Sequence, residues 1–470
     1  MRRHHDLTEG GVGRRMLGMA APMIAGTFAM TSFSLADTWF VSRLGTVPLA
    51  AMGFTFPVVM IMGCVGMALG TGATAIVSQA LGDNDHARAR RVSTDCLVLA
   101  LCIIMSLGTI GFLTMEPLFR AMKAPDDVMP LIRSYMTVWF LFAGPSFLAM
   151  PANNIMRAAG DTRFPSLVMI CGALLNCILD PILIFGWGPI PAMGILGAAI
   201  ATAISRFAAL VLVLVVLHRR YRLVARPTAR LSVMLHSWSQ ALHIAGPALV
   251  SYLLHPLSMF CITRIVAGYG KTAVAALGAG GRIEMFAYLI PMALGISLVP
   301  LVGQNYGGGR YDRVAECRLY SERFAMVWGA IVALVFFTAA PSMAALFTKD
   351  TATERTLVLY LRIMPFGYGM REVLRYVTLI LNGISRPIAS LKLNAFFLIV
   401  LTVPCALLGA RLWGIAGVFA GMMVASNVAG LVALSYGNRQ MTPERLAALV
   451  VAGRTTTSDS LPGKTEESTT

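Results

Sequence analysis

Two carboxylates sit in stretches of this sequence that are otherwise apolar enough to cross a bilayer. Asp37 lies in Ser32-Phe33-Ser34-Leu35-Ala36-Asp37-Thr38-Trp39, and Asp180 in Asn176-Cys177-Ile178-Leu179-Asp180-Pro181. An ionisable group inside a membrane helix is costly to keep, so its presence points to function by default. Asn176 and Asp180 are four positions apart and share one helix face. Two carboxylates with amide neighbours offer oxygen ligands for Na⁺, or a proton shared between them. Either ion could be loaded and released in a transport cycle. The structural alternative is that Asp180 caps or pairs near a helix end before Pro181.

A second set of polar residues falls in the other half of the chain: His255, Arg264, Arg282, Glu284, Arg371, Glu372 and Arg375. Arg282 and Glu284 read as lying near the outer end of their helix, open to water. Arg371 and Glu372 fall nearer mid-helix on neighbouring faces. They suit either a buried ion network that holds helices together or a substrate or gating role. His255 is a lone titratable group. Aromatic and methionine side chains such as Phe28, Met30, Phe33, Trp39, Tyr135 and Trp139 could line a pocket for apolar cations, or simply pack against helices and lipid.

The elements that must position these groups follow from composition. The chain is 57% hydrophobic and 13% charged, whereas soluble domains average about 25% charged residues. Lipid must cover the surplus apolar surface. A bilayer core needs roughly 20 apolar residues per helix. Twelve such segments fill the chain, near 16–42, 51–81, 94–115, 129–150, 165–186, 194–217, 241–267, 276–306, 317–338, 357–381, 389–410 and 414–436. No alternating barrel pattern is present. The expected fold is an all-α membrane protein of twelve transmembrane helices in two pseudo-symmetric six-helix lobes.

The duplication is visible without gaps. Residues 20–88 slide onto 245–313, so that Pro22 meets Pro247, Gly45 meets Gly270, Gln79 meets Gln304, Gly82 meets Gly307 and Arg88 meets Arg313. Asp37 meets Ile262, so the acid belongs to one copy only. Parallel repeats of this kind are common in secondary transporters. The expected organisation is an N-lobe over 1–217, a basic linker over 218–238 containing Pro227, a C-lobe over 239–438, and a polar, disordered tail over 439–470. Prolines 57, 145, 256, 291 and 300 fall inside helical segments, where each removes a backbone donor and bends its helix.

The net charge of +16 does not indicate nucleic acid. Basic residues gather at alternate helix ends, from Arg2, Arg3, Arg14 and Arg15 through Arg88 to Arg91 and the linker arginines. The positive-inside rule then places both termini in the cytoplasm of a bacterial-type inner membrane. The eight cysteines show no metal-ligand spacing. No metalloprotease, nucleophile-elbow or complete phosphate-loop motif is present. Gly268-Tyr269-Gly270-Lys271-Thr272 ends like a phosphate loop but lacks the first glycine and the preceding strand. An ion gradient is the simpler energy source, with no organic cofactor.

At this level of detail the chain resembles the multidrug and toxic compound extrusion (MATE) transporters, most closely their DinF-like branch. The resemblance covers about 14–438. It rests on Asp37 to Gly45 followed by Leu49 to Gly53, on Arg157 to Pro165, on Asn176 to Pro181, on Gly197 to Thr202, and on Pro300 to Asn305. It implies a cation-coupled antiporter that exports amphipathic, often cationic organic compounds by alternating access. It also implies a coupling site at Asp37, Asn176, Asp180 and Thr202, with Asn154 as the fourth-helix member and Asn153 as the competing assignment. Asp37 and Asp180 would be the metal ligands if Na⁺ is the ion. Pro22 matches a first-helix proline associated with bending. Substrate contact or gating in the C-lobe would fall to His255, Arg264, Glu284, Arg371 and Glu372. The expected partners are small amphipathic molecules and membrane lipid, with no nucleic acid, and the expected unit is a monomer. Arg264, Arg371 and Arg375 keep open a lipid-linked precursor flippase. An intramembrane enzyme or a sensor finds no supporting residues.

Overall fold

The computed structural model describes residues 6–225 and 231–449. Arg2, Arg3, Arg226, Pro227, Arg230 and residues 450–470 lie outside the described residues; the first part of the tail expected to be disordered over 439–470 is instead helical over 443–449, with Leu446 buried in the C-lobe core.

Nine helices among the described residues are long and apolar enough to span a bilayer. They resolve into twelve spans once three features are taken into account. Met129–Leu141 and Ala143–Ala158 pass together as a pair bent by 50° and form span 4. Pro387–Gln440 is 54 residues long. A straight helix of that length would run about 81 Å, far beyond a hydrocarbon core of about 30 Å. It is broken at Trp413 and Gly414, whose φ of 60° only glycine adopts readily, and so yields spans 11 and 12. Thr351–Ile363 and Tyr368–Gly383, joined by the tight turn Met364–Gly367, form span 10. Span 10 is less apolar because it carries Arg362, Arg371, Glu372 and Arg375. The others are span 1 (Val12–Ser42), span 2 (Thr46–Gly82), span 3 (His86–Leu113), span 5 (Arg163–Phe185) and span 6 (Ile195–Tyr221). The second lobe adds span 7 (Leu231–Ala267), span 8 (Lys271–Gly307) and span 9 (Tyr311–Phe347).

The repeat is kept in backbone detail. Gly45 and Gly270 precede spans 2 and 8 with φ of 112° and 98°. Pro22, Pro57, Pro247, Pro256, Pro291 and Pro300 lie inside helices as expected. Pro145 differs from expectation. It sits in the first turn after the bend at Phe142, where no intrahelical donor is lost. Pro151 is the interior proline of that helix.

The lobes interlock at the end of the bundle that carries the basic residues. Met16, Met19 and Ala20 of span 1 are buried in the core of the second lobe, with Leu298, Leu301 and Val377. Their counterparts at an offset of 225, Ala241, Ile244 and Ala245 of span 7, are buried in the core of the first lobe. Further along span 1, Val41 packs with Ile184 and Ala198 of its own lobe. Spans 2 and 8 cross at the same end. A Cβ at Gly82 would overlap the Gln304 carbonyl, and one at Gly307 would overlap the Gln79 carbonyl. Side chains repeat the symmetry. Gln79 Nε2 donates to the Gly383 carbonyl at 2.7 Å, and Gln304 Nε2 donates to the Ala158 carbonyl at 2.7 Å. Ala158 and Gly383 are the last residues of their helices, where carbonyls have no intrahelical partner.

Candidate functional site

Span 1 lies against span 5, and span 5 against span 6, which assembles the predicted N-lobe residues. Asp37, Asn176, Asp180 and Thr202 are all buried. Asn176 Nδ2 donates to Thr202 Oγ1 at 3.3 Å. One turn on, Asp180 is fully enclosed, and neither of its carboxyl oxygens has a hydrogen-bond partner. Asp37 Oδ1 and Asn176 Oδ1 are likewise unpartnered. Four buried acceptor oxygens on the packed spans 1 and 5 thus have no hydrogen-bond donor among the described residues, a lack that a proton or a small cation would satisfy. Ile262, the repeat counterpart of Asp37, is fully buried in an apolar cluster.

A cavity of about 740 Å³ lies between the lobes. Asn176 and Thr202 reach its wall, while Asp37 and Asp180 are not among its lining residues. Asn153 and Asn154 both line it. Asn154 is engaged with Arg157, whose guanidinium donates to its Oδ1, and Asn153 Nδ2 donates to the Ala149 carbonyl at 2.9 Å. Neither hydrogen-bonds the acids. Pro22 is fifteen positions from Asp37, about 22 Å along the helix.

The C-lobe residues form a different kind of cluster. Glu284 Oε1 accepts from Tyr360 at 2.6 Å and from Tyr368 at 2.5 Å, and Arg371 stands 3.9 Å from its other oxygen. Arg371 lies over the Tyr288 ring at 5.0 Å. Glu372 is held by two nitrogens of Arg375, one at 2.9 Å. Glu284 is thus shielded rather than open to water. The tyrosines of span 10 cover it, a long-range effect that its local sequence does not carry. Arg282 is exposed as expected. His255, Arg371 and Glu372 line the cavity, whereas Arg264 is exposed and outside the lining.

Of the aromatic and methionine residues considered above, Met30 and Phe33 reach the cavity. Tyr135 and Trp139 pack in the first-lobe core, and Trp39 points outward. Arg206 is a lining residue that sequence reasoning missed. It lies one turn after Thr202 in an apolar run, the same signal that marked Asp37. Its guanidinium lies over Trp139 at 5.0 Å and Phe147 at 5.6 Å and donates to the Ser146 carbonyl at 3.1 Å. Asp95 was also missed. It is fully buried in span 3 with both carboxyl oxygens unpartnered.

Twelve spans in two related lobes around a central cavity, with buried, unpaired aspartates in one lobe, define a secondary transporter rather than an enzyme. The MatE family profile matches residues 22–182 and again 247–408, once per lobe, and the chain belongs to this family of efflux transporters. It is 35% identical over 445 residues to the FAD transporter of Shewanella oneidensis, covering 94% of this chain and 98% of that one. It is 25% identical over 428 residues to the multidrug export protein MepA of Staphylococcus aureus, covering 90% and 93%. The solved Vibrio cholerae MATE transporter VcmN in its bent form superposes with a TM-score of 0.87 at 30% identity, covering 92% and 97%.

Proposed function

We propose that this transporter couples the inward movement of H⁺ or Na⁺ to export of organic molecules, with Asp37 and Asp180 as the coupling acids and Asn176 and Thr202 beside them. The observation that carries the reading is the set of buried, donor-free oxygens in the N-lobe. A carboxylate there must be neutralised by a bound ion, and releasing that ion restores the charge. The two states differ by a full charge inside the lobe, enough to bias its packing against the cavity. Pro22 supplies a weak point in span 1 for that change, and the Vibrio relative is known in a bent form. The lobes would rock to expose the cavity alternately, with both termini on the cytoplasmic side of the inner membrane, as the arginine distribution suggests.

Amphipathic organic compounds are the cargo that the cavity's mixed apolar and polar wall suits. The two relatives carry different named cargoes, FAD in one and multiple drugs in the other. The higher identity and fuller coverage of the FAD transporter favour a flavin nucleotide among the molecules to test. The test is efflux from proteoliposomes with pH and Na⁺ gradients imposed separately, comparing wild type with Asp37→Asn. Gradient-driven efflux lost in the variant is expected, and undiminished efflux by the variant would remove Asp37 from the mechanism.

A further inference from the structure

The cavity wall carries a charge asymmetry that the coupling reading leaves unused. Its charged lining residues include four arginines, Arg157, Arg206, Arg371 and Arg375, against one glutamate, Glu372. The two C-lobe arginines face carboxylates, Arg375 on Glu372 and Arg371 near Glu284. Arg157 and Arg206 form no ion pair with any carboxylate among the described residues. Arg157 Nε is buried with no partner. Arg206 is braced by two aromatic rings and one carbonyl, leaving most of its donors uncommitted. Both arginines are half-buried in the cavity wall with donors to spare, and the planar fork of a guanidinium matches phosphate.

Resting on the exporter reading above, we infer that Arg157 and Arg206 form an anion subsite and that the cargo is a ring-bearing phosphate rather than an organic cation. Apolar lining such as Met30, Phe33 and Met292 takes the ring, while the two arginines, held at Asn154 and Ser146, offer donors at two points of the wall to the phosphate-bearing end. An anion of this kind leaves the cell down the inside-negative potential, so its export gains from the potential as well as from the coupled ion.

Binding tests this independently of transport. Purified protein is titrated with FAD, with riboflavin as the ring without phosphate, and with ethidium as an organic cation. The expected result is a preference for FAD. Arg206→Gln should weaken FAD binding tenfold or more and change riboflavin binding less than twofold, with Arg206→Lys partly restoring it. Arg157→Gln should act in the same direction, which keeps the test valid if one variant fails to fold. Tighter binding of ethidium than FAD, or equal losses for FAD and riboflavin, would overturn the subsite. FAD binding that depends on Arg206 without efflux under any gradient would instead overturn the exporter reading and leave the subsite standing.

A second inference rests on the interlocked ends alone. The paired caps, Gln79 on Gly383 and Gln304 on Ala158, and the exchanged halves of spans 1 and 7 all lie at the basic end. Pro22 and Pro247 follow directly after the segments buried in the opposite lobe. Leu7, whose N–H donates to Gln304 Oε1 at 3.0 Å, and Arg313, which donates to the Gly10 carbonyl at 2.7 Å, bind the N-terminal segment across one half of the junction. The geometry points to a two-fold clasp, made by the paired glutamine caps, that closes the cavity at this end. A cysteine introduced at the cavity residue by Met67→Cys, with the eight native cysteines replaced, reports access to an impermeant maleimide from each side. Gln79→Leu with Gln304→Leu should raise labelling from the basic end at least threefold, and each single variant should give part of that rise. Unchanged labelling in the folded double variant would overturn the clasp.

Discussion

The two lobes share a backbone plan but treat charge in opposite ways. In the N-lobe, among the described residues, Asp37, Asp180, Arg157 and Arg206 form no close ion pair. In the C-lobe, Glu372 is bound by Arg375, and Glu284 by two tyrosines with Arg371 nearby. Unpaired groups can exchange a ion or a ligand, whereas satisfied groups hold helices in register. Duplication thus left one copy free to respond to ions and the other to act as a scaffold. The junction between them stayed symmetric, since Gln79 and Gln304 make equivalent bonds to opposite lobes.

The largest effect should come from the unpaired side. Asp180→Asn is expected to abolish gradient-driven efflux while leaving the amount of inserted protein unchanged, as measured in proteoliposomes and by size-exclusion chromatography. The reverse pattern is expected across the cavity. Glu372→Gln should lower unfolding stability by about 2 kcal/mol while leaving ion coupling in place. That is less than the 3–5 kcal/mol or so for breaking a fully buried pair, because the Arg375 side chain is 33% exposed. A thermal melt beside an efflux assay separates the two.

Smaller changes sharpen the symmetry. Gln79→Leu and Gln304→Leu should each cost about 1 kcal/mol in stability. Gln304→Leu should cost the more, since the second bond of Gln304 is buried and comes from the Leu7 N–H, whereas that of Gln79 goes to the part-buried Ser385 hydroxyl. Equal melts would show that the N-terminal segment adds no more than the Ser385 contact. The smallest effect lies outside the spans, at Asp350. Its carboxyl accepts from the side chain and backbone of Thr353, which holds its pKa below the ordinary carboxylate value. A depressed folded-state pKa contributes stability above the unfolded-state value of about 3.9. That contribution is lost as pH falls through the lower folded value. Hydrogen exchange at residues 351–356 should be faster in Asp350→Ala than in wild type at pH 7, with the difference vanishing in strong acid.

Much of this contrast was legible in the sequence because it depends on local rules. A carboxylate in an apolar run marks itself, and the i, i+4 spacing of Asn176 and Asp180 fixes a shared face. The ungapped repeat paired Gly45 with Gly270, and the fold gives both a positive φ before spans 2 and 8. What escaped depends on long-range packing. Glu284 is shielded by tyrosines from span 10, more than 75 positions away. The exchange of span 1 and span 7 halves between lobe cores leaves no mark in hydropathy, because buried and lipid-facing residues are equally apolar. Arg206 was open to the same rule as Asp37, and its bracing by Trp139 and Phe147 needed the fold.

The central claim is that ion coupling resides in Asp37 and Asp180 of the N-lobe. Its most direct test is ion-driven efflux measured side by side for Asp37→Asn, Asp180→Asn, Glu284→Gln and Glu372→Gln in the same vesicles. Loss of coupling in the first two with retention in the last two is the predicted result. Retained coupling in both aspartate variants, or its loss only in the glutamate variants, would contradict the account and move the ion site to the C-lobe.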